Sequence, residues 1–203
     1  MSAPAPPPTN VAVSLVDYVS EGKVTPQHFV MLDTPALTEA DVPEGGCLLE
    51  LAYLSVDPYM RGRMRNTKGY FVGPFVPGSP LDGACVATVS ASRSPSLPVG
   101  SIVTGFLKWQ KQQVVDKDMA ASLTLVDKSA APGVPLSAFL GPLGMTGLTA
   151  YASLRAIGRP KSGETAYVSA AGGAVGCMAG QLLKRVHGCR VVGSTGSDEK
   201  VGP

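Results

Sequence analysis

A glycine-rich segment, YVSAAGGAVGCMAG, contains the residues whose types and spacing most clearly indicate chemistry. In a dinucleotide-binding turn it would place Ala171, Gly173 and Gly176 at the three small-residue positions. A small first residue permits a tight exit from a strand, the second lets a pyrophosphate approach the backbone, and the third lets the next helix pack closely. The N-terminus of that helix would present free N–H groups to the phosphates. The spacing therefore predicts a phosphate-binding turn.

The elements around this segment favour dinucleotide binding over a plain tight turn. The pattern predicts a strand at 164–170, a helix at 174–186 that Gly188 terminates, and a second strand at 189–193. A further helix is predicted upstream, at 143–156. A strand–helix–strand unit of about 30 residues is the size expected of a nucleotide-binding crossover.

The end of the second strand bears on the choice between NAD and NADP. Sites specific for NAD place an acidic residue about 20 positions after the glycines, to bind the ribose hydroxyls. Here Thr195 lies near that position, in GSTGSDEK, and Lys200 with the hydroxyls of Ser194 and Ser197 could pair with a phosphate. We predict NADP, although the neighbouring carboxylates would repel a phosphate. The segment could instead be a polar loop in which Ser197 is the N-cap of the next helix.

The composition excludes several classes of protein. Seventeen basic and fifteen acidic residues give a net charge of +2, and the basic residues are scattered, which argues against a nucleic-acid binder. The densest basic cluster comprises Arg61, Arg63, Arg65 and Lys68. We interpret it as a solvated loop rather than an anion site.

The sequence predicts a cytoplasmic protein. No apolar run approaches the roughly 18 residues of a membrane span, and the Pro- and Ala-rich start lacks the features of a secretory signal or a mitochondrial presequence. The four cysteines form no Cys-x-x-Cys pair and are too sparse for a disulfide scaffold, so reduced thiols are expected. The two histidines, His28 and His187, have no Cys or Glu at metal-site spacing, so we expect no catalytic zinc.

The first two thirds of the chain are predicted to form a compact, barrel-like β domain. Residues 1–10 are expected to be a disordered tail, residues 11–135 the β domain, and residues 136–203 a linking helix with part of a nucleotide-binding domain. Closely spaced Gly and Pro residues separate the predicted strands. These strands are 11–16, 47–56, 83–90, 102–106 and 112–115.

Three parts of the chain resemble a known family. They are LSVDPYMRGRM (54–64), GMTGLTAYASL (144–154), and the run KSGETAYVSAAGGAVGCMAGQLLK followed by GCRVVGSTGSDEK (161–200). They resemble the zinc-free prostaglandin reductases and leukotriene hydroxydehydrogenases, also described as NADP-dependent alkenal/one oxidoreductases, of the medium-chain dehydrogenase/reductase superfamily. The resemblance extends over nearly the whole chain, from Val11 to Val201.

This resemblance implies a mixed α/β fold, in which a GroES-like β-barrel domain precedes a Rossmann domain. It also implies that NADPH reduces the carbon–carbon double bond of α,β-unsaturated ketones or aldehydes, by hydride transfer to the β-carbon. Gly173, Ala174, Val175 and Gly176 match the pyrophosphate-binding turn of the family, and Lys200 matches the residue that binds the adenosine phosphate.

Substrate contacts are implied at three further positions. Phe106 and Leu107, in VTGFLKWQ, fall where relatives place substrate-binding residues, although an aromatic residue is common at the second position. Tyr59, in VDPYMR, is expected near the domain cleft or, alternatively, as a packed turn residue. The resemblance assigns no catalytic residue to this chain.

Family members are longer, and the sequence ends soon after the second predicted Rossmann strand. We therefore expect an incomplete Rossmann domain, and a homodimer for a full-length form. Two alternatives to an enone reductase stay open: a non-catalytic, reductase-derived binding module, and a zinc-free quinone reductase.

Overall fold

The computed structural model describes residues 9–67 and 72–201 of the 203-residue chain. Most of the predicted tail, residues 1–8, and Lys68 of the basic cluster lie outside the described residues. Contacts between Cα atoms divide the chain into two compact units, one that ends at Pro132 and one that begins at Gly133. In the part of the chain that the structure describes, no helix combines the length and the apolar character that crossing a lipid bilayer requires.

The first unit consists mainly of antiparallel strands. The strands are β1 (Thr9–Leu15), β2 (Phe29–Pro35), β3 (Cys47–Leu54), β4 (Asp82–Ser92), β5 (Ile102–Lys108), β6 (Gln112–Val115) and β7 (Thr124–Leu125). Two of them, β1 and β2, form a pair, and the other five form a sheet in the order β6-β3-β4-β5-β7. Two short helices, α1 (Met60–Arg63) and α2 (Lys117–Ser122), lie between strands.

The inner face of this sheet forms the largest hydrophobic core. Cys85, Ala87 and Val89, at alternate positions of β4, are buried in this core, and Val86 between them is buried as well. The first three pack against buried residues of the neighbouring elements. These include Cys47, Leu49, Leu97, Val103, Leu107, Val115, Ala120 and Leu123. Register shifts in the β3–β4 pair, which mark bulges, allow the sheet to curl around this core.

Strand β1 runs beside the turn between β5 and β6. The Val13 N–H donates to the Trp109 carbonyl (2.9 Å), and the Lys111 N–H donates to the Val11 carbonyl (2.8 Å). The Leu81 N–H in turn donates to the Val13 carbonyl (2.8 Å). These bonds tie the β1–β2 pair to the five-stranded sheet and make the first unit barrel-like.

The prediction that the tail extends to residue 10 is wrong, because Thr9 and Asn10 belong to β1. The buried Asn10 carboxamide acts as a strand partner for Gln112. Its nitrogen donates to the Gln112 carbonyl (2.7 Å), and its oxygen accepts from the Gln112 N–H (2.8 Å). This partner is 102 residues away in the sequence, so local composition gave no sign of it.

The prediction did not include strand β2. Its sequence, FVMLDTP, does not alternate between apolar and polar residues, and the strand has most of its residues exposed or half-buried. Among the named strands of the described chain it pairs with β1 alone. An edge strand of this kind tolerates the terminal Pro35, which cannot donate a ladder hydrogen bond.

The second unit contains one parallel strand–helix–strand crossover. Strand β8 (Thr165–Val168) pairs in parallel with β9 (Arg190–Gly193), and α4 (Ala174–Arg185) connects them. The α4 helix packs on the strands through a small core that includes Val168, Leu183 and Cys189. Gly188, at a φ of +69°, follows the helix and permits the left-handed turn into β9.

Several element boundaries in this unit differ from those predicted. The first strand ends at Val168 rather than at residue 170, because Ala170 has a φ of +50° and starts the glycine turn. The predicted helix 143–156 is the shorter α3 (Met145–Ser153), which continues as a π-helical turn, Leu154–Gly158. Position 147 of α3 has room for glycine alone, because a Cβ there would lie 1.8 Å from the Pro142 carbonyl oxygen.

Candidate cofactor and substrate sites

The glycine turn forms a tight connection between β8 and α4. The Ala170 carbonyl accepts a hydrogen bond from the Gly173 N–H (2.8 Å), which closes the turn. Gly173 is the N-cap of α4, and its carbonyl accepts from the Cys177 N–H (2.8 Å). Because a helix leaves the N–H groups of its first turn without intrahelical acceptors, those of Ala174 and Val175 are available to a ligand.

The glycines of the turn differ in what surrounds them. A Cβ on Gly176 would lie 2.3 Å from the Ala170 carbonyl oxygen and 2.9 Å from the Ala171 Cα, so the helix packs here directly on the turn backbone. A Cβ on Gly173 would meet just one described atom within 4 Å, the same Ala170 oxygen at 3.1 Å. The space beside Gly173 is therefore open, as close approach of a phosphate requires.

Ala171 connects the turn to the end of β9. Its N–H donates to the Ser194 carbonyl (2.8 Å), and a Cβ on Gly193 would lie 2.6 Å from the Ala171 Cβ. The hydroxyls of Ser194 and Tyr167 lie 2.6 Å apart and form a hydrogen bond with each other. A larger residue at position 171 would therefore separate the turn from β9.

Lys200 and Thr195 lie beside the same turn. A Cβ on Gly172 would be 3.4 Å from the Thr195 hydroxyl oxygen and 3.5 Å from the Lys200 Cδ. The aliphatic part of Lys200 thus passes close to the glycine backbone, and its exposed ammonium group can reach an anion there. The Ser197 carbonyl accepts from the Lys200 N–H (3.1 Å) within a short 3-10 turn, and the Ser197 side chain makes no capping hydrogen bond.

The second unit therefore assembles features that suit a phosphate-bearing dinucleotide. Open backbone at Gly173, the N-terminus of α4 and the Lys200 side chain lie within one strand–helix–strand crossover. The neutral Thr195 adjoins them at the end of β9. Because its side chain carries no charge, it would not repel a phosphate on the adenosine ribose.

In the first unit, Phe106 and Leu107 border an open cavity of about 540 Å³. The Phe106 ring is 42% exposed, whereas the Leu107 side chain is 2% exposed and belongs to the sheet core. Leu37, Val114 and Met119 add apolar surface to the cavity, and Asp82, Lys108 and Asp116 add charge. The cavity lies between the ends of β5 and β6, two strands that do not pair with each other.

Tyr59 lies at a neighbouring place in the same unit. A Cβ on Gly83, which is paired with Leu107, would lie 3.6 Å from the Tyr59 hydroxyl and 3.3 Å from the Trp109 Nε1. Partial burial, reinforced by the Asp57 carboxylate, raises the pKa of the Tyr59 hydroxyl. This hydroxyl therefore keeps its proton at neutral pH and can donate a hydrogen bond.

The interpretation of the basic cluster as a solvated loop is wrong for Arg63, which is 4% exposed. Its guanidinium pairs with the Asp82 carboxylate through Nη1, and its Nε donates to the Gly73 carbonyl (2.8 Å). Arg61 also binds backbone, donating to the Val19 carbonyl (2.8 Å), while Arg65 is exposed. The sequence held no clear signal of this burial, because Arg61 and Arg63 lie in the same short helix and the partner Asp82 is distant in sequence.

The described residues contain no evident metal site. Within residues 9–67 and 72–201, no three side chains of His, Cys, Asp or Glu lie close enough together to share a metal ion. His28 instead accepts a hydrogen bond from the Thr25 N–H through Nδ1 (2.9 Å), which closes a short turn before β2.

Comparisons with known proteins agree with these features. Residues 15–123 match the family model described as the N-terminal domain of oxidoreductase. The chain is 46% identical over 162 residues to the NADP-dependent 2-alkenal reductase of Nicotiana tabacum, covering 79% of this chain and 46% of that protein. It is 40% identical over 181 residues to prostaglandin reductase 1 of Sus scrofa, covering 86% of this chain and 51% of that protein.

A solved structure extends the similarity to the fold. The structure of CurA from Vibrio vulnificus in complex with NADPH has a TM-score of 0.78 and 35% identity to this chain. It matches 93% of this chain and 52% of CurA, so the chain spans about half the length of the proteins it resembles. The mixed α/β fold predicted from the sequence is confirmed. The chain belongs to the medium-chain dehydrogenase/reductase family of oxidoreductases, in the group that contains the prostaglandin and 2-alkenal reductases.

Proposed function

We propose that this chain is part of an NADPH-dependent reductase that saturates the carbon–carbon double bond of α,β-unsaturated ketones and aldehydes. The observation that carries the proposal is the position of Lys200 beside Gly172, at the N-terminal end of α4. This arrangement offers a cation and a neutral Thr195 where an NAD-specific site would have a carboxylate. The names of the relatives, 2-alkenal reductase and prostaglandin reductase, support the choice of substrate class.

The cofactor would be held by the residues of the glycine turn. Gly173, Ala174, Val175 and Gly176 would bind the pyrophosphate with backbone N–H groups, and Ala171 would keep the turn against β9. Two side chains nearby, those of Ser197 and Lys200, would contact the adenosine phosphate. Bound NADPH would supply the hydride that the β-carbon of the substrate accepts.

The first unit would provide the substrate site. The exposed Phe106 ring and the edge of Leu107 would bind the apolar body of the enone along the open cavity. Tyr59, whose hydroxyl stays protonated at neutral pH, would donate a hydrogen bond to a polar group of the substrate. No residue of this chain is assigned as the proton donor to the α-carbon.

The domain organisation and the properties of the whole enzyme complete the proposal. The first unit would correspond to a GroES-like domain at residues 11–135, and the second unit to the start of a Rossmann domain at 136–203. The whole enzyme would be a zinc-free, cytoplasmic homodimer that binds neither nucleic acid nor membrane. Elemental analysis that finds one tightly bound zinc ion per chain would contradict the metal-free assignment.

The test is an assay with residues 1–203 and with a version extended to the length of a relative. Both are incubated with NADPH and trans-4-phenyl-3-buten-2-one, and the product is identified by NMR. Deuterium from NADPH labelled at C4 should appear at the β-carbon, while deuterium from D₂O should appear at the α-carbon. Reduction of the carbonyl group, giving an unsaturated alcohol, would contradict the proposal.

Two controls separate the alternatives. Turnover of a naphthoquinone without turnover of the enone would identify a quinone reductase instead. Failure of both versions to bind any nicotinamide nucleotide would favour the non-catalytic module. Lys161→Ala serves as the matched control for Lys200→Ala, because Lys161 is an exposed lysine that precedes β8, at the opposite end of that strand from the glycine turn.

A further inference from the structure

We infer that Arg63 is a positioning residue that fixes the orientation of the Phe106 ring at the border of the cavity. The fixed ring gives the cavity a preference for planar, conjugated enones. This inference rests on the proposed function for the identity of the ligand. Its structural part, that Arg63 holds the Phe106 ring in place, can be tested without any ligand.

The guanidinium of Arg63 connects several parts of the first unit. Its Nε donates to the Gly73 carbonyl (2.8 Å), and its Nη1 donates to the Asp82 carbonyl (3.2 Å) and pairs with the Asp82 carboxylate. Its central carbon lies 4.0 Å from the centroid of the Phe75 ring and 5.7 Å from that of the Phe106 ring. A buried charge is tolerated here because it is paired and hydrogen-bonded.

Arg63 reaches the cavity through its neighbours. Phe106 and Asp82 border the cavity and are partly exposed, whereas Arg63 is almost completely buried behind them. A half-exposed ring lacks packing on its open side, so its orientation depends on what lies behind it. The cation–π contact with Arg63 supplies part of that support, and the ion pair fixes the Asp82 carboxylate beside the ring.

An arginine suits this position better than a lysine would. The planar guanidinium can face two rings while its edge donates to a carbonyl and a carboxylate. The ammonium of a lysine could keep the ion pair with Asp82, but it could not also donate to the Gly73 carbonyl and stack on Phe75. Arg63→Lys should therefore preserve the charge and the fold while releasing the Phe106 ring.

The consequence for specificity follows from the surface that Phe106 presents. A fixed aromatic face favours ligands with an extended planar group, such as an aryl enone, because such ligands stack on the ring. A small aliphatic enone gains little from that face. Arg63→Lys should therefore weaken binding of trans-4-phenyl-3-buten-2-one about fivefold or more and change binding of 3-penten-2-one less than twofold.

The experiment compares the wild-type chain with Arg63→Lys and Arg61→Lys. Arg61 is the matched control, because it lies on the same helix and binds the Val19 and Gly22 carbonyls without contacting the cavity. Affinity for both enones is followed by the fluorescence of Trp109, the single tryptophan of the chain. Equal weakening of both enones by Arg63→Lys, or the same loss in Arg61→Lys, would overturn the inference.

A second readout needs no ligand. The chain is labelled with 4-fluorophenylalanine, and the ¹⁹F resonance of Phe106 is assigned by Phe106→Leu. We expect this resonance to shift and broaden in Arg63→Lys and to stay unchanged in Arg61→Lys; an unchanged resonance in Arg63→Lys would refute the positioning role. If the wild type binds neither enone while the resonance still shifts in Arg63→Lys, the proposed substrate fails and the positioning role stands.

Discussion

The carboxamide of Gln113 makes two hydrogen bonds with the backbone of Lys108. Its oxygen accepts from the Lys108 N–H and its nitrogen donates to the Lys108 carbonyl, both at 3.1 Å. Gln113 is buried, and its side chain supplies the backbone hydrogen bonds that a paired strand would supply, because β5 and β6 do not pair with each other. The turn that carries Trp109 is thereby fixed, and with it the edge of the cavity.

Replacing Gln113 with Leu should destabilise the first unit. The substitution introduces an apolar side chain of similar size and leaves the Lys108 N–H without its partner, whereas the Lys108 carbonyl still accepts from the Gln110 N–H (2.9 Å). We expect a loss of roughly 1–3 kcal/mol in the free energy of unfolding. Urea denaturation followed by Trp109 fluorescence measures it, because this tryptophan lies in the first unit.

Gln110→Leu is the control for this substitution. Gln110 lies in the same turn and has no side-chain hydrogen bond among those observed for the described residues, so its loss should change stability by less than about 0.5 kcal/mol. Similar losses in both variants would show that the Gln113 carboxamide does not support the turn.

The two glycines at the start of α4 should respond differently to substitution. Gly176→Ala places a methyl group 2.3 Å from the Ala170 carbonyl oxygen, which is backbone and cannot move away cheaply. This variant should therefore destabilise the second unit and weaken nucleotide binding together. Gly173→Val should abolish nucleotide binding with a much smaller effect on folding, because its side chain would fill the space that the pyrophosphate needs.

Circular dichroism thermal melts and calorimetric titration with NADPH separate these effects. If Gly173→Val destabilised the second unit as severely as Gly176→Ala, the predicted difference between the two glycines would be wrong. Unchanged nucleotide affinity in Gly173→Val would mean that the turn is structural and binds no pyrophosphate.

The sequence was sufficient to predict the elements whose signals are local. The turn at Gly173 and Gly176 could be predicted because a tight strand-to-helix turn with close helix packing leaves a glycine pattern. The strand β4 could be predicted because it is a short, mostly apolar segment between Gly- and Pro-rich turns. Each of these signals lies within about ten residues of sequence.

The features that the sequence did not predict depend on distant partners. Asn10 joins β1 because its side chain pairs with Gln112, and Arg63 is buried because Asp82 and two aromatic rings surround it. Strand β2 lacks alternation because it lies at an edge. For Asn10 and Arg63, the tertiary contact overrides the local preference, as expected for polar groups that are buried with a partner.

Lys200→Ala should change the preference between the two nicotinamide cofactors. A charge-assisted contact with the adenosine phosphate contributes roughly 1.5–3 kcal/mol, so the affinity for NADPH should fall about tenfold or more. NADH lacks that phosphate, so its affinity should barely change. Calorimetric titration of both nucleotides measures the two effects, and equal losses for NADPH and NADH would refute the role of Lys200.

The buried thiol of Cys85 should make stability fall at alkaline pH. Burial raises the pKa of Cys85 from 9.0 to about 12. Between these values the unfolded chain releases the proton while the folded chain retains it, so rising pH favours the unfolded state by up to about 1.4 kcal/mol per pH unit. Below pH 9 this group adds no pH dependence, because both states keep the proton.

Cys85→Ala should therefore be less stable than the wild type at pH 8 but should lose stability more slowly between pH 9 and pH 11. The alanine leaves a cavity, which lowers stability at every pH. The titration of the thiol affects only the slope of stability against pH above pH 9, so its removal makes that slope smaller. Urea denaturation with a phosphine reductant, followed by Trp109 fluorescence, gives both quantities. The control Cys177→Ala removes an exposed thiol on α4 and should keep the wild-type slope. Cys47, whose burial also raises its pKa, should leave part of the slope in Cys85→Ala. Parallel stability curves for wild type and Cys85→Ala over this range would show that Cys85 does not keep its proton in the folded state.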